Sequence, residues 1–342
     1  MGHKDNNMAL DTYSAGLKIE PLVESINKLT YGKEIDSFKK VMKPRISFNN
    51  CTYRSGVLLV LVAGICWSSM GLGIRHIEVA NVWQILFFRS LALTPLLLLV
   101  ITLRARGNPF PTIQSAGLAG IFGGVSLVFA FSGGILAIQT TTVANAMFLF
   151  AAAPFFAAVL GWLVLKEHVR KATWLSMIAA LVGIAIMVWE GISLGKIIGN
   201  IAALISALGF AVFTISLRWK KLEDMLPAVF LAGFFAIITA GILCQINGYG
   251  FNIPSWDIGI ALALGIFQVG AGMILYTIGS KAVPSAELAL LSMTEVVFGP
   301  LWVWLFLGET AGSYTLLGGG VLLVAITGNA LSGLRHKPIP MI

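Results

Sequence analysis

Two charged side chains lie deep inside long apolar stretches of the sequence. Glu295 belongs to SMTEVVFGP at 292–300, and Arg89 belongs to FFRSLALTPLLLLV at 87–100. A carboxylate within a membrane costs about 3 kcal/mol or more, so such residues tend to pair with another charge or to face a cavity. Glu295 could carry a proton, neutralise a cationic or amine-bearing substrate, or play a structural part. In that last case it would pair with Arg89 or hydrogen-bond to neighbouring helices.

Arg89 has two comparable interpretations. Its planar guanidinium could bind a carboxylate or a phosphate through two parallel hydrogen bonds. It could equally anchor packing or topology near the membrane surface, because it lies only about seven residues, or roughly 10 Å, into its apolar stretch. Glu295 is about 12 residues, or roughly 18 Å, from either end of its own stretch, which places it near the middle of a membrane.

A further set of candidates is uncharged or lies near the ends of apolar stretches. Their amide, hydroxyl and indole groups could bind a polar substrate, whereas packing and the aromatic belt at the membrane surface are the structural alternatives. These substrate-binding or coupling candidates are Gln268, Trp67, Tyr276, Asn145, Ser68 and Gln84. Glu287 could line an inner vestibule, although a place at the membrane surface is the simpler expectation.

Prolines and glycines within the apolar stretches are candidates for helix kinks or gating. Pro154 and Pro300 each free a backbone carbonyl and permit a kink. Gly124 and Gly272 belong to glycine-rich stretches in which helices can approach closely and slide. Tight packing without motion explains the glycines equally well.

The composition indicates a membrane protein. Of 342 residues, 57% are hydrophobic and 11% are charged, and the mean hydropathy is +0.88. A soluble protein has about 25% charged residues. The net charge of +8 could suggest nucleic-acid binding, but the basic residues cluster in short segments between apolar stretches, which membrane topology explains better. The three cysteines match no metal site, and we expect no metal, cofactor or nucleic-acid partner.

Ten apolar stretches are long enough to cross about 30 Å of hydrocarbon, which predicts an all-α integral membrane protein. Numbered in chain order, these spans 1 to 10 are predicted at 55–75, 82–103, 114–138, 142–165, 171–190, 196–218, 225–247, 256–279, 283–307 and 311–332. Polar tails at 1–54 and 333–342 flank them. If the chain starts in the cytoplasm, only Arg75 and Lys196 fall on the outer side, apart from Arg89 within a span. This predicts that both tails are cytoplasmic.

The two halves of the chain resemble each other. NAMFLFAAAPFFAAVLGWLVLKE at 145–167 aligns without a gap with ELALLSMTEVVFGPLWVWLFLGE at 287–309, a separation of 142 residues. At a separation of 143, Arg75 aligns with Arg218. The position of Glu295 is occupied by an alanine in the first copy.

Five spans in each copy predict two inverted five-helix repeats, over 55–190 and 196–332. Inverted repeats are common in secondary transporters, because two pseudo-symmetric halves can exchange conformations around a central site. Glu167 and Glu309 close the fourth span of each repeat. They are expected to be interface or capping carboxylates that could also lock a gate.

The repeat ends are similar to those of the EamA-type branch of the drug/metabolite transporter superfamily. The resemblance lies in FAAAPFFAAVLGWLVLKEHV at 150–169 and MTEVVFGPLWVWLFLGET at 293–310. Each segment has a proline in an apolar helix, an aromatic-rich run and a closing glutamate. The resemblance covers about 55–332 and implies that spans 1–4 and 6–9 surround a central cavity, with spans 5 and 10 as peripheral supports.

These features predict a multi-pass secondary transporter. We expect it to move a small polar metabolite (an amino acid, an amine or a related compound) by alternating access, driven by protons or by exchange. The alternatives are a channel or a transporter-fold membrane scaffold and, more weakly, an intramembrane enzyme. All four histidines lie outside the predicted spans, which argues against a buried catalytic site. The expected location is the cell membrane, or the inner membrane of a bacterium, with the lipid bilayer and a small-molecule substrate as partners.

Overall fold

The computed structural model describes residues 52–193, 195–222 and 224–334. Over these residues the regular secondary structure is helical, and all ten predicted spans are confirmed as helices long and apolar enough to cross a membrane. Spans 1 to 10 are Tyr53–Arg75, Val82–Arg104, Gly117–Thr140, Val143–Leu165, Lys171–Ser193, Ile197–Trp219, Leu226–Ile246, Ser255–Gly279, Ser285–Leu307 and Ser313–Leu334. Nearly all of the predicted tails, 1–54 and 333–342, lies outside the described residues.

A proline interrupts span 4 but not span 9. Span 4 consists of the helices Val143–Phe150 and Ala153–Leu165, and the break falls just before Pro154. A proline ring clashes with the carbonyl of the preceding turn and lacks the N–H that would bond to it, so a helix is easily broken at this point. Pro300 lies inside one continuous helix, Ser285–Leu307, which accommodates its ring without a break.

Span 8 contains a segment of different helical geometry. A π-helix, Leu264–Ala271, connects the α-helices Ser255–Ala263 and Gly272–Gly279. The aligned part of span 3 is a regular α-helix, so the two repeats differ here. π-Helical segments are rare and often occur at functional sites.

Span 3 begins three residues later than the predicted residue 114. A short helix, Phe110–Ser115, precedes it, and Gly117, the first residue of span 3, has a φ of +50°. Glycine adopts this left-handed conformation at little steric cost, and a change of direction is therefore possible at this residue.

Eight spans form a closed ring around a central space. The order of neighbours around the ring is 9, 1, 8, 2, 7, 3, 6, 4 and back to 9. Spans 5 and 10 pack on each other outside the ring and contact spans 4, 6 and 9. Exchanging spans 1–5 with spans 6–10 leaves the order of the eight ring spans unchanged, which is the pattern that a duplicated five-span unit would give.

Glycines let spans 3 and 6 pack backbone against backbone. A Cβ atom on Gly133 would lie 2.7 Å from the carbonyl oxygen of Ala202, and one on Gly209 would lie 2.7 Å from that of Ser126. Such contacts require residues without a side chain, as is common between membrane helices. These two spans therefore form a close pair within the ring.

The ring has two ends, one at each surface of the membrane. We name them after the arginine that each contains, the Arg75 end and the Arg218 end. At the Arg75 end, Asp257 fastens the connection between spans 1 and 2 to the beginning of span 8. Its buried carboxylate accepts the backbone N–H groups of residues 78, 79 and 80 at 3.1, 2.9 and 2.9 Å. These bonds satisfy three loop donors at once.

Candidate functional site

A cavity of about 320 Å³ lies at the centre of the ring. This volume is at the lower end of the range of about 300–1,000 Å³ that is typical of small-molecule sites. Spans 1, 2, 3, 4, 6, 8 and 9 line it, together with Met225 just before span 7. Much of the wall consists of aromatic and methionine side chains, including Met70, Phe131, Phe150, Phe210, Met273 and Met293.

Arg89 brings a positive charge to this cavity from span 2. The residue is only 1% exposed, and its guanidinium carbon lies 4.6 Å from the ring centroid of Phe131 on span 3. That contact is a favourable cation–π interaction. However, Nε and Nη2 of Arg89 have no hydrogen-bond partner among the described residues. A buried guanidinium without a counterion is costly, so the arrangement is suited to an anionic group that arrives in the cavity.

Glu295 brings a carboxylate to the same cavity from span 9. The residue is half-buried. The ion pairs within the described part of the chain are Arg75–Glu309, Arg104–Asp224 and Arg218–Glu167. The direct Arg89–Glu295 pair, one of the alternatives left open by the sequence, is therefore not formed in this structure. The carboxylate is available to a proton or to a cationic group.

Polar groups from spans 1 and 8 complete the cavity wall. Gln268 lies in the π-helical segment, and its Oε1 atom has no hydrogen-bond partner among the described residues; the same holds for the indole Nε1 of Trp67. The Trp67 ring lies 5.2 Å from that of Tyr276, which also lines the cavity. Gly272 packs directly against the Trp67 indole, where a Cβ atom would overlap the ring. This glycine therefore positions Trp67.

Three candidates from the sequence lie outside this cavity and have partners elsewhere. Ser68 is buried and accepts a hydrogen bond of 2.9 Å from Nε1 of Trp302. Gln84 donates to two carbonyls in the connection between spans 7 and 8, at 3.3 and 3.1 Å. Asn145 donates to the side chain of Asn200. The hydrogen bonds assign all three to contacts with neighbouring helices or loops rather than to the cavity wall.

The gating candidates fall in several places. Pro154 lines the cavity at the break in span 4. Pro300 lies against a second, apolar pocket beside span 10. Gly124 packs on span 7, where its Cβ position is 3.2 Å from a backbone nitrogen. Glu287 accepts a 2.6 Å hydrogen bond from the hydroxyl of Tyr53 at the Arg218 end, so it ties span 9 to span 1 instead of lining a vestibule.

The structure adds hydroxyl groups that the sequence analysis did not single out. Ser206, Thr214 and Ser292 also line the cavity. Serine and threonine in apolar helices usually bond to nearby backbone carbonyls, and their presence alone is therefore a weak signal. Thr214 and Ser292 do so here, at 3.0 and 2.8 Å, whereas Ser206 donates to the Ala130 carbonyl of span 3 at 2.7 Å. Within the described ranges, no cluster of three or more His, Cys, Asp or Glu side chains could hold a metal ion.

The cavity extends toward the Arg218 end of the ring. Thr214, Leu217 and Met225 line it on that side. At the opposite end, the residue aligned with Leu217 is Ile74, which is 2% exposed. The two ends of the pseudo-symmetric ring therefore differ, and the Arg75 end is the more tightly closed one.

Comparison with known proteins identifies relatives of the whole membrane region. The chain is 24% identical over 285 residues to the pseudopaline exporter CntI of Pseudomonas aeruginosa, covering 80% of this chain and 94% of that protein. It is 26% identical over 281 residues to an uncharacterized transporter of Archaeoglobus fulgidus, covering 80% and 95%. A solved crystal structure with 18% identity and a TM-score of 0.56 covers 84% of this chain and 100% of that chain, and it supports the fold.

The same family profile matches the chain twice, once over residues 54–189 and once over residues 197–331. The two matched segments together include the cavity-lining residues. The chain belongs to the EamA-like transporter family, within the drug/metabolite transporter superfamily.

Proposed function

We propose that this protein is a secondary transporter that moves a small zwitterionic metabolite, carrying both a carboxylate and an amine, by alternating access. The supporting observation concerns Arg89, whose Nε and Nη2 have no hydrogen-bond partner among the described residues, and Glu295, which joins no ion pair there: both line one cavity whose wall is otherwise largely apolar. Opposite charges that are separately available in one pocket fit a substrate that supplies the counter-charge to each.

Each part of such a substrate has a partner in the cavity. The carboxylate would accept hydrogen bonds from Nε and Nη2 of Arg89, with the Trp67 indole as a further donor. The amine would bind Glu295 and the free Oε1 of Gln268. Aromatic and methionine side chains would contact the apolar remainder, since both adapt well to varied shapes.

The direction and coupling of transport are part of this proposal. One relative is named as an exporter, which supports export from the cell. The excess of Lys and Arg at the Arg218 end supports a cytoplasmic position for that end, so the cavity would extend toward the cytoplasm in this structure. Binding of a proton and of an amine to the same Glu295 carboxylate would be mutually exclusive, and this would couple export to proton entry.

A panel of matched compounds tests the proposal. The protein, reconstituted in liposomes, is offered radiolabelled amino acids of different size, the amines that lack their carboxylate and the acids that lack their amine. Ligand binding raises the unfolding temperature of the purified protein, by mass action. We expect stabilisation and uptake to be greatest for zwitterions. Stabilisation by singly charged analogues alone, or by dicarboxylates better than by any zwitterion, would contradict the proposal.

A further inference from the structure

An ion pair at the Arg75 end joins two neighbouring spans of the ring and contacts a third. Arg75 Nε donates to Glu309 at 2.8 Å, which joins the end of span 1 to the end of span 9. The same side chains contact the beginning of span 4. Arg75 Nη2 donates to the carbonyl of Thr141 at 2.6 Å, and the N–H of Val143 donates to Glu309 at 2.7 Å. The pair is therefore docked on backbone groups at the beginning of span 4.

The repeat places an equivalent pair at the Arg218 end. Arg218 aligns with Arg75, and Glu167 aligns with Glu309. Arg218 Nη2 donates to both carboxylate oxygens of Glu167 at 2.7 Å, which joins the end of span 6 to the end of span 4. The side-chain hydrogen bonds of this pair go no further within the described ranges. Its side chains are 49% and 39% exposed, against 25% and 20% for the other pair.

Packing around the two pairs differs in the same sense. Gly71 lies so close to Val143 that a Cβ atom would overlap its side chain, and Ile74 is 2% exposed. The residues aligned with Gly71 and Ile74 are Thr214 and Leu217, and both line the cavity. The pair that is docked therefore lies at the closed end, and the pair that is not docked lies at the end toward which the cavity extends.

We propose that the two Arg–Glu pairs are the gates of one transport cycle. The Arg75–Glu309 pair docks on the beginning of span 4 when the Arg75 end closes, and the Arg218–Glu167 pair docks on the beginning of span 9 when the Arg218 end closes. Both pairs remain intact throughout, because each joins two spans that neighbour each other in the ring. Docking and undocking of the pairs distinguish the two states. This inference rests on the proposed alternating access and adds the residues that close each end.

The alignment predicts the contacts of the opposite state. Val283 and Ser285 occupy the positions of Thr141 and Val143 in the second repeat. With the Arg218 end closed, the arginine would therefore donate to the Val283 carbonyl, and the Ser285 N–H would donate to the glutamate. The equivalent contacts at Thr141 and Val143 would then be broken.

A charge reversal separates a gate from a simple tie between spans 1 and 9. Arg75→Glu combined with Glu309→Arg keeps two opposite charges side by side. It also places a carboxylate against the Thr141 carbonyl and a cation against the Val143 N–H, so docking is lost. A pair that only ties two helices together would be rescued by the reversal, whereas a gate would not.

Cysteine labelling in detergent measures which end is open. All three native cysteines, at 51, 66 and 244, are first replaced by alanine. Ile74→Cys then reports on the Arg75 end and Leu217→Cys on the Arg218 end, through their rates of reaction with a charged maleimide. In the parent protein we expect Leu217→Cys to react faster than Ile74→Cys.

We expect Glu309→Gln to raise the labelling rate of Ile74→Cys by about tenfold or more, since hydrogen bonds to a charged group are lost only from the closed Arg75 end. The labelling rate of Leu217→Cys should fall. The charge reversal should behave like Glu309→Gln. The matched variant Glu167→Gln should leave Ile74→Cys protected, because it weakens only the opposite state.

An unchanged rate for Ile74→Cys in Glu309→Gln, or a parent-like pattern in the charge reversal, would overturn the gate. If Glu309→Gln fails to fold, transport by the charge reversal Arg218→Glu with Glu167→Arg decides. Absent transport supports docking, and transport at the wild-type rate contradicts it. Labelling does not depend on transport. Shifted labelling without any wild-type transport would therefore refute the proposed function while the gate stands, and normal transport with unshifted labelling would refute the gate alone.

Discussion

Replacing Arg89 with methionine is predicted to weaken substrate binding strongly without weakening the fold. Nε and Nη2 of Arg89 both lack partners in the described part of the chain, so a substrate carboxylate can accept two hydrogen bonds. Hydrogen bonds to charged groups contribute about 1.5–3 kcal/mol each. Loss of two corresponds to about 3–6 kcal/mol, and each 1.4 kcal/mol is roughly tenfold in affinity. The dissociation constant should therefore rise by about 100-fold or more.

The stability of the Arg89→Met protein without substrate should not fall along with its affinity. Replacing buried ionic groups with apolar side chains of similar volume is often neutral or stabilising by about 1–4 kcal/mol. Methionine fills a similar space, and the cation–π contact with Phe131 that is lost contributes roughly 1–2 kcal/mol. We therefore expect the unfolding temperature of Arg89→Met without substrate to equal or exceed that of the wild type.

Thermal unfolding of the purified protein, with and without a zwitterionic substrate, measures both effects. The matched control is Arg104→Met, at the other end of the same span, where the guanidinium is paired with Asp224 at 3.3 Å. That variant should unfold at a slightly lower temperature and bind substrate normally. A destabilised Arg89→Met protein with unchanged affinity would refute the reasoning, because Arg89 would then be a structural residue.

Three further substitutions test other parts of the structure. Glu295→Gln should abolish binding of amine-bearing substrates and make the remaining transport independent of pH, as measured by uptake at several pH values; unchanged uptake and pH dependence would exclude this carboxylate from coupling. Asp257→Asn should lower the free energy of unfolding by about 1–3 kcal/mol, because the loop donors at 78–80 lose a charged acceptor; chemical denaturation measures this, and a wild-type value would contradict it. Gly133→Ala should cost about 1–3 kcal/mol by forcing spans 3 and 6 apart, whereas Gly320→Ala, with open space at its Cβ position, should be neutral; equal unfolding temperatures for the two variants would argue against backbone packing.

The spans could be predicted from the sequence because hydropathy reports directly on burial in hydrocarbon. The free-energy cost of placing a charge in hydrocarbon also singled out Arg89 and Glu295, since a charge within a span needs a cavity or a partner, and both residues line the cavity. The repeat alignment added the equivalence of the positions of Arg75 and Arg218. All of these are properties that a linear sequence carries by itself.

The positions of uncharged polar residues could not be predicted in the same way. Polar side chains of the kind that line cavities occur at Ser68, Gln84 and Asn145, but each of them hydrogen-bonds to a neighbouring helix or loop. Which face of a helix points to the cavity depends on how the ring closes, and amides and hydroxyls carry little penalty that would reveal it. The π-helix around Gln268 and the different outcomes at Pro154 and Pro300 likewise depend on tertiary packing.

The measurement that tests alternating access most directly is counterflow in proteoliposomes. Vesicles loaded with excess unlabelled substrate are diluted into a trace of labelled substrate, and uptake is followed with wild-type protein and with Arg89→Met. Alternating access predicts saturable uptake that is accelerated by substrate on the opposite side and lost in the variant. Flux that neither saturates nor responds to substrate on the opposite side would show an open channel and contradict the account.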